Sequence, residues 1–173
     1  MTAPPVRRAL DTLYDGAAWV AALFMVGLLA MVLLGIVSRL LHFHVPGTDA
    51  YAGYLMAGSG FLALAHTLKR NEHIRVTLLL SALKGGAHRA VELWALFAAT
   101  LLAALSAVYS IRLAWQSHAF NDISTGNDAT PLWIPQIGMA LGMVILFIAF
   151  VDEFVCEWRG RTRAAPAEML RNE

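Results

Sequence analysis

The sequence predicts an all-α integral membrane protein with four transmembrane helices, a short interfacial amphipathic helix and both termini in the cytoplasm. Three observations carry that expectation. Ala17 to Ser38, Ala50 to Leu68, Leu93 to Ile111 and Ala129 to Val151 contain no Asp, Glu, Lys or Arg, and the shortest of these runs has 19 residues. At about 1.5 Å of helical rise per residue, each covers roughly the 30 Å hydrocarbon core. The basic residues between the runs are unevenly distributed, and the composition is 58% hydrophobic and 14% charged, with a mean hydropathy of +0.60. These values differ from those of a soluble domain.

Orientation follows from the basic residues, which are retained on the cytoplasmic side when they lie near span ends. Arg7 and Arg8 precede the first run, Lys69, Arg70, Arg75, Lys84 and Arg89 lie between the second and third, and Arg159, Arg161, Arg163 and Arg171 follow the fourth. Only Arg39 and Arg112 fall on the other side, so the thirteen basic residues divide eleven to two. The whole chain, 1–173, reads as a single membrane domain. Its spans are expected at about 17–38, 50–68, 91–114 and 131–151, and its interfacial helix at about 72–84. The net charge of +1 is sorted by side and offers no patch for nucleic acid.

Taken in order, the first run is too long for the apolar core of a signal sequence, and Ser38-Arg39-Leu40-Leu41 provides no small-residue cleavage site. It is expected to be a retained span. Leu41 to Thr48, with Pro46-Gly47, makes a compact outer turn into the second span. Beyond Lys69, Val76, Leu79, Leu80 and Leu83 recur at helical spacing opposite Arg75, Thr77, Ser81 and Lys84. That pattern favours an interfacial helix over a polar loop. Gly85-Gly86 breaks the chain before the third span. The outer connection from Trp115 to Asp128 is polar, and Pro131 suits the first turn of the last helix, with Pro135 one turn further in. Cys156, the single cysteine, excludes an intramolecular disulfide.

What the spans lack bounds their function. Carriers place ionisable groups or unwound backbone near the midplane to replace the water of an ion or polar substrate. No charged residue lies inside the four runs, and His66, their one histidine, sits about a turn from the inner end of the second. A hydrogen-bonded interfacial role suits it better than a proton relay. Small residues at helical spacing point instead to close helix packing: Ala95, Ala99, Ala103 and Ala107 in the third span, Gly138 and Gly142 in the fourth, and Gly53, Ala57 and Gly60 in the second. Such faces serve packing within the bundle as well as docking to a partner. No nucleophile or metal-ligand spacing occurs, so no catalytic residue, metal site or cofactor is expected, and the chain does not read as an enzyme.

Several stretches resemble the small membrane subunit of TRAP (tripartite ATP-independent periplasmic) transporters, the DctQ-like family. They are Ser38-Arg39 closing the first span, Pro46-Gly47, Gly60-Phe61-Leu62-Ala63-Leu64-Ala65, Glu72-His73-Ile74-Arg75-Val76, and Thr130-Pro131-Leu132-Trp133-Ile134-Pro135-Gln136. Asp49 stands where such proteins often carry glutamate, and Thr77 where aspartate frequently follows the His-Ile-Arg-Val stretch. The resemblance implies a multi-pass protein of the bacterial inner membrane that scaffolds a large transport subunit. That large subunit would carry an organic acid delivered by a periplasmic binding protein and couple its uptake to Na+. No substrate-binding residue is expected in the small subunit. Arg39, Asp49, Lys69, Arg70, Arg75 and Arg112 are expected to meet phospholipids or the partner. One alternative is a haem-bearing membrane anchor of an oxidoreductase, suggested by six histidines. Their scatter over loops and span ends suits facing axial ligands poorly. A second alternative is an autonomous small exporter.

Overall fold

The computed structural model describes residues 5–43, 45–69, 86–126 and 128–159. They form four helices: α1 (Pro5–Leu40), α2 (Thr48–Lys69), α3 (Gly86–Ala119) and α4 (Trp133–Trp158). The expected interfacial helix at 72–84 lies outside the described residues. At 36 and 34 residues, α1 and α3 run for about 50 Å, well beyond a hydrocarbon core of roughly 30 Å. Both therefore extend past their uncharged runs, α1 by the polar segment from Pro5 to Gly16.

Three of the four helices, α1 from Arg7, α3 from Arg89 and the whole of α4, are long and apolar enough to cross a membrane. The exception is α2, which carries Gly53, Gly58, Ser59, Gly60 and His66 within its 22 residues. Its position accounts for that composition. In space the order is α1, α2, α4, α3, because α2 packs on α1 and on α4, and α3 packs on α4. The helices thus form an open row with α2 and α4 at its centre, and central positions select small residues that let backbones approach.

Glycines mark the closest approaches. A Cβ on Gly142 would lie 2.6 Å from both the carbonyl carbon and the oxygen of Phe61, and one on Gly58 would lie 2.6 Å from the Phe24 ring. A Cβ on Gly138 would lie 3.7 Å from the Cα of Gly58. Ala103, Ala107, Ser110 and Ser117 are buried on α3, and α4 is the neighbour that α3 packs against. The outer edges of the row are the reverse: Trp19, Leu23 and Val26 on α1, and Trp94, Leu102 and Val108 on α3, are each more than half exposed. In water such edges would drive aggregation; in lipid they carry no penalty. Hydroxyls within the apolar lengths bond to their own helix, as with Thr100 to the Leu96 carbonyl at 2.7 Å and Ser110 to Ser106 at 2.7 Å.

The connections are tightly specified. His42 adopts a left-handed φ of 56° and ends α1, and the Phe43 N–H reaches back to the Ser38 carbonyl at 3.1 Å, the six-to-one bond of a Schellman stop. Pro131 departs from its expected place in the first turn of α4. It forms an antiparallel bridge with Ile123, reinforced by Ser124 N–H to Thr130 C=O at 2.9 Å and Leu132 N–H to Asp122 C=O at 3.0 Å. Those two bonds satisfy more backbone groups than extending the helix by two residues would, and α4 begins at Trp133. Pro135 then occupies the first turn, where its missing N–H costs no helical bond.

Gly142→Leu should force α2 and α4 apart, because the obstruction is backbone and not a flexible side chain. It should lower stability by about 1–3 kcal/mol, the range for overpacking a fitted interface. Gly60→Ala, with nothing within 4 Å of the added carbon, should be close to neutral. Denaturation in detergent, followed by helical circular dichroism, checks both.

Candidate functional site

Polar side chains gather at the two ends of the row. At the end that the basic residues lead one to expect on the cytoplasmic side, termed the inner end, Arg7, Asp11 and Asp15 follow one another at four-residue spacing, so the first turns of α1 present one charged face. The Arg7 guanidinium lies 3.5 Å from Asp152 on α4 and 4.0 Å from Asp11. Lys69, the last residue of α2, places its Nζ 3.1 Å from Asp11 and 3.5 Å from Asp15. His66 Nδ1 lies 3.6 Å from the same Asp15 oxygen. Beneath this chain of charges, Tyr14 is buried against Ala65, Leu68, Leu146 and Ala149, and Lys69 Nζ sits 5.7 Å from the centre of its ring. Cys156 joins the edge of the cluster, with the Arg7 Nη1 donating to Sγ at 3.7 Å. On the far side of α4, Arg89 of α3 donates to the Trp158 carbonyl at 3.3 Å, a cation at the negative end of a helix.

At the outer end the α3–α4 hairpin is fastened to the start of α2. Tyr54 donates to Asp128 Oδ2 at 3.0 Å, Ser124 donates to Oδ1 at 2.8 Å, and Thr130 and Tyr51 hydroxyls meet at 3.2 Å. Gly47, with φ +81°, allows the α1–α2 turn to lie against this loop, since a Cβ there would come within 2.8 Å of the Asp128 Cβ. The hydrogen bond from Ser124, helped by those of Thr130 and Tyr54, holds the Asp128 carboxyl down from 3.8 to about 2. Beside it a cavity of about 460 Å³ is lined by Ser38, Arg39, His42, Thr48, Asp49 and Gly126. Arg39 and Asp49 face each other across 3.5 Å at 79% and 89% side-chain exposure, so this pair contributes little to stability.

Placed in this frame, the residues singled out from sequence separate into groups. Lys69 is held by Asp11 and Asp15, and Arg39 and Asp49 are held by each other. Arg112 is exposed on α3. Arg70 and Arg75 lie outside the described residues. Ala103, Ala107, Gly138 and Gly142 face neighbouring helices, with Ala99 half-buried on the same side of α3, whereas Gly53 and Gly60 face open space and Ala57 is exposed. The described histidines are engaged separately: His66 by Asp15, His118 edge-on to Trp133 at 5.3 Å, and His42 in the outer cavity. That arrangement gives a haem reading no support. Among the described residues, no group of three His, Cys, Asp or Glu side chains is placed to hold a metal ion.

The inner cluster was not anticipated as a unit. The 7, 11, 15 spacing was its available signal, while Asp152 and Lys69 gave no hint of their partners. The Tyr54–Asp128 bond joins residues 74 apart in sequence, and no local pattern marks it.

Lys69→Met should cost roughly 1 kcal/mol, since its partners are partly solvated, and Lys69→Arg should restore most of it. The loss, read from melting in detergent, should shrink as salt is raised. Asp128 has a folded-state pKa below its unfolded value, so its contribution is complete above about pH 4 and disappears as pH falls toward about 2. Melting temperature should drop across that window, and Asp128→Asn should remove this part of the pH dependence.

No curated protein matches the chain. A family model does, over residues 28–160, which is more than three quarters of the sequence, and it describes the DctQ component of tripartite ATP-independent periplasmic transporters. The chain, four helices in an open row, thus belongs to the DctQ family, a transporter component and not an enzyme family.

Proposed function

We propose that this protein is the small permease subunit of a TRAP transporter and acts as a fixed membrane scaffold for the large transport subunit. The observation that carries this reading is the open row of helices. Ion pairs join α1 to α2 and α4 at one end and hydrogen bonds to Asp128 fasten the other, and its edges α1 and α3 offer long apolar faces without midplane ligands. A moving carrier needs groups that exchange partners as substrate passes; a scaffold needs anchoring and a surface to pack against.

In this reading α2 is the fourth span, its lower apolarity tolerated because α1 and α4 cover much of it. The start of α1 and the end of α4 face the cytoplasmic side of the bacterial inner membrane in this reading, which the distribution of basic residues supports. The large subunit carries an organic acid and its coupling ion, expected to be Na+, and a periplasmic binding protein delivers the substrate to the outer face. Arg39, Asp49 and Arg112 lie on that outer side, available to the binding protein, the large subunit or phospholipid headgroups. Arg70 and Arg75 supply inner-leaflet charge at about 1 kcal/mol each.

Co-expression of the tagged chain with the large subunit, followed by extraction in mild detergent, should yield a stoichiometric complex. In proteoliposomes, uptake should require both subunits and the binding protein. Transport by this chain alone, or its failure to co-purify in several mild detergents, would overturn the scaffold role.

A further inference from the structure

Because α1 and α4 approach one another sparsely, the side of α2 between them is left as the floor of a groove of about 500 Å³. Phe24 and Met31 form one wall, Ile134 and Gly138 the other, and Leu55 and Gly58 the floor. The two glycines deepen it, since the Gly138 and Gly58 backbones lie close together and neither adds a side chain. From Tyr51 to Gly58 along α2 the groove descends about 10 Å, about two thirds of the depth of one leaflet.

Its mouth differs in chemistry from its floor. Tyr51 and Thr130 place hydroxyls there. Tyr54, also part of the lining, passes directly to the Asp128 carboxylate through a 3.0 Å bond. An apolar slot, opening beneath the Tyr51 hydroxyl donor and a fixed negative charge, is complementary to an amphiphile with a cationic end and an anionic linker.

We infer that this groove holds one phospholipid with a primary ammonium headgroup, its acyl chain along Leu55 and Gly58, its phosphate at the Tyr51 hydroxyl, which accepts from Thr130 and keeps its own proton to donate, and its ammonium toward Asp128. The carboxylate selects the headgroup: a phosphoglycerol headgroup brings no cation, and a quaternary choline cannot donate a hydrogen bond. Asp128 remains ionised at neutral pH because Ser124, Thr130 and Tyr54 hydrogen-bond to it. This inference concerns the chain alone and stands apart from its proposed role as a scaffold.

The test uses the full chain, delipidated in detergent and reconstituted into vesicles of equal parts phosphatidylethanolamine, phosphatidylglycerol and phosphatidylcholine. After gentle re-extraction, the lipid still bound is measured by mass spectrometry. About one phosphatidylethanolamine per chain is expected, enriched roughly ten-fold over the other two, the scale of one charge-assisted hydrogen bond. Ile134→Trp and Met31→Trp, which fill the groove from opposite walls, should abolish retention while leaving helical content unchanged. Asp128→Asn should keep a bound lipid but lose the headgroup preference, and Tyr51→Phe, which removes only a hydroxyl, should weaken retention several-fold. Equal retention of all three lipids by the unaltered chain, preference for phosphatidylglycerol, or unchanged retention in both tryptophan variants would overturn the inference.

Discussion

Hydrocarbon does not solvate charge or unpaired backbone, and that constraint organises the whole chain. Hydroxyls along the spans return to their own helix carbonyls, and the ionised groups are displaced to the ends. There they pair. Arg7, Asp11, Asp15, Lys69 and Asp152 join three helices at the inner end, while Asp128 joins the α3–α4 hairpin to α2 at the outer end. The middle of the row is left to shape alone, which is why the contacts there are glycine against backbone and alanine against helix.

The topology follows from the same division. With α4 between α2 and α3, the consecutive helices α2 and α3 are not neighbours. The central helices meet helices on two sides, so α2 is held by Gly142 against Phe61, by Gly58 against Phe24 and by the Tyr54–Asp128 bond. The edge helices each spend one face on a neighbour and leave the other to lipid or to a partner. Gly53, Ala57 and Gly60 lie on the part of α2 that neither neighbour covers.

Much of the fold was legible because it depends on local quantities. Four uncharged runs locate four helices, and the apolarity of α1, α3 and α4 is a sum over consecutive residues. Of the small-residue ladder on α3, Ala103 and Ala107 are buried and Ala95 is exposed. Spacing cannot say which neighbour a small residue meets: Gly142 meets backbone and Gly60 meets nothing, although both sit in similar patterns. The polar junctions were less legible still. The inner cluster needs the order α1, α2, α4 in space, and the outer one needs the hairpin that draws Pro131 out of α4. Both are decided by tertiary contacts between residues distant in sequence.

The arrangement of charge also separates a frame from a carrier in energetic terms. A site that binds and releases an ion holds ligands whose protein partners are weak enough to be exchanged for the ion. Here Asp11 is shared between Lys69 and Arg7, and Asp15 between Lys69 and His66. Freeing Asp11 would take a partner from Arg7 on α1 and from Lys69 on α2 at once. The inner cluster therefore resists partner exchange, and its ion pairs tie α1 to both α2 and α4.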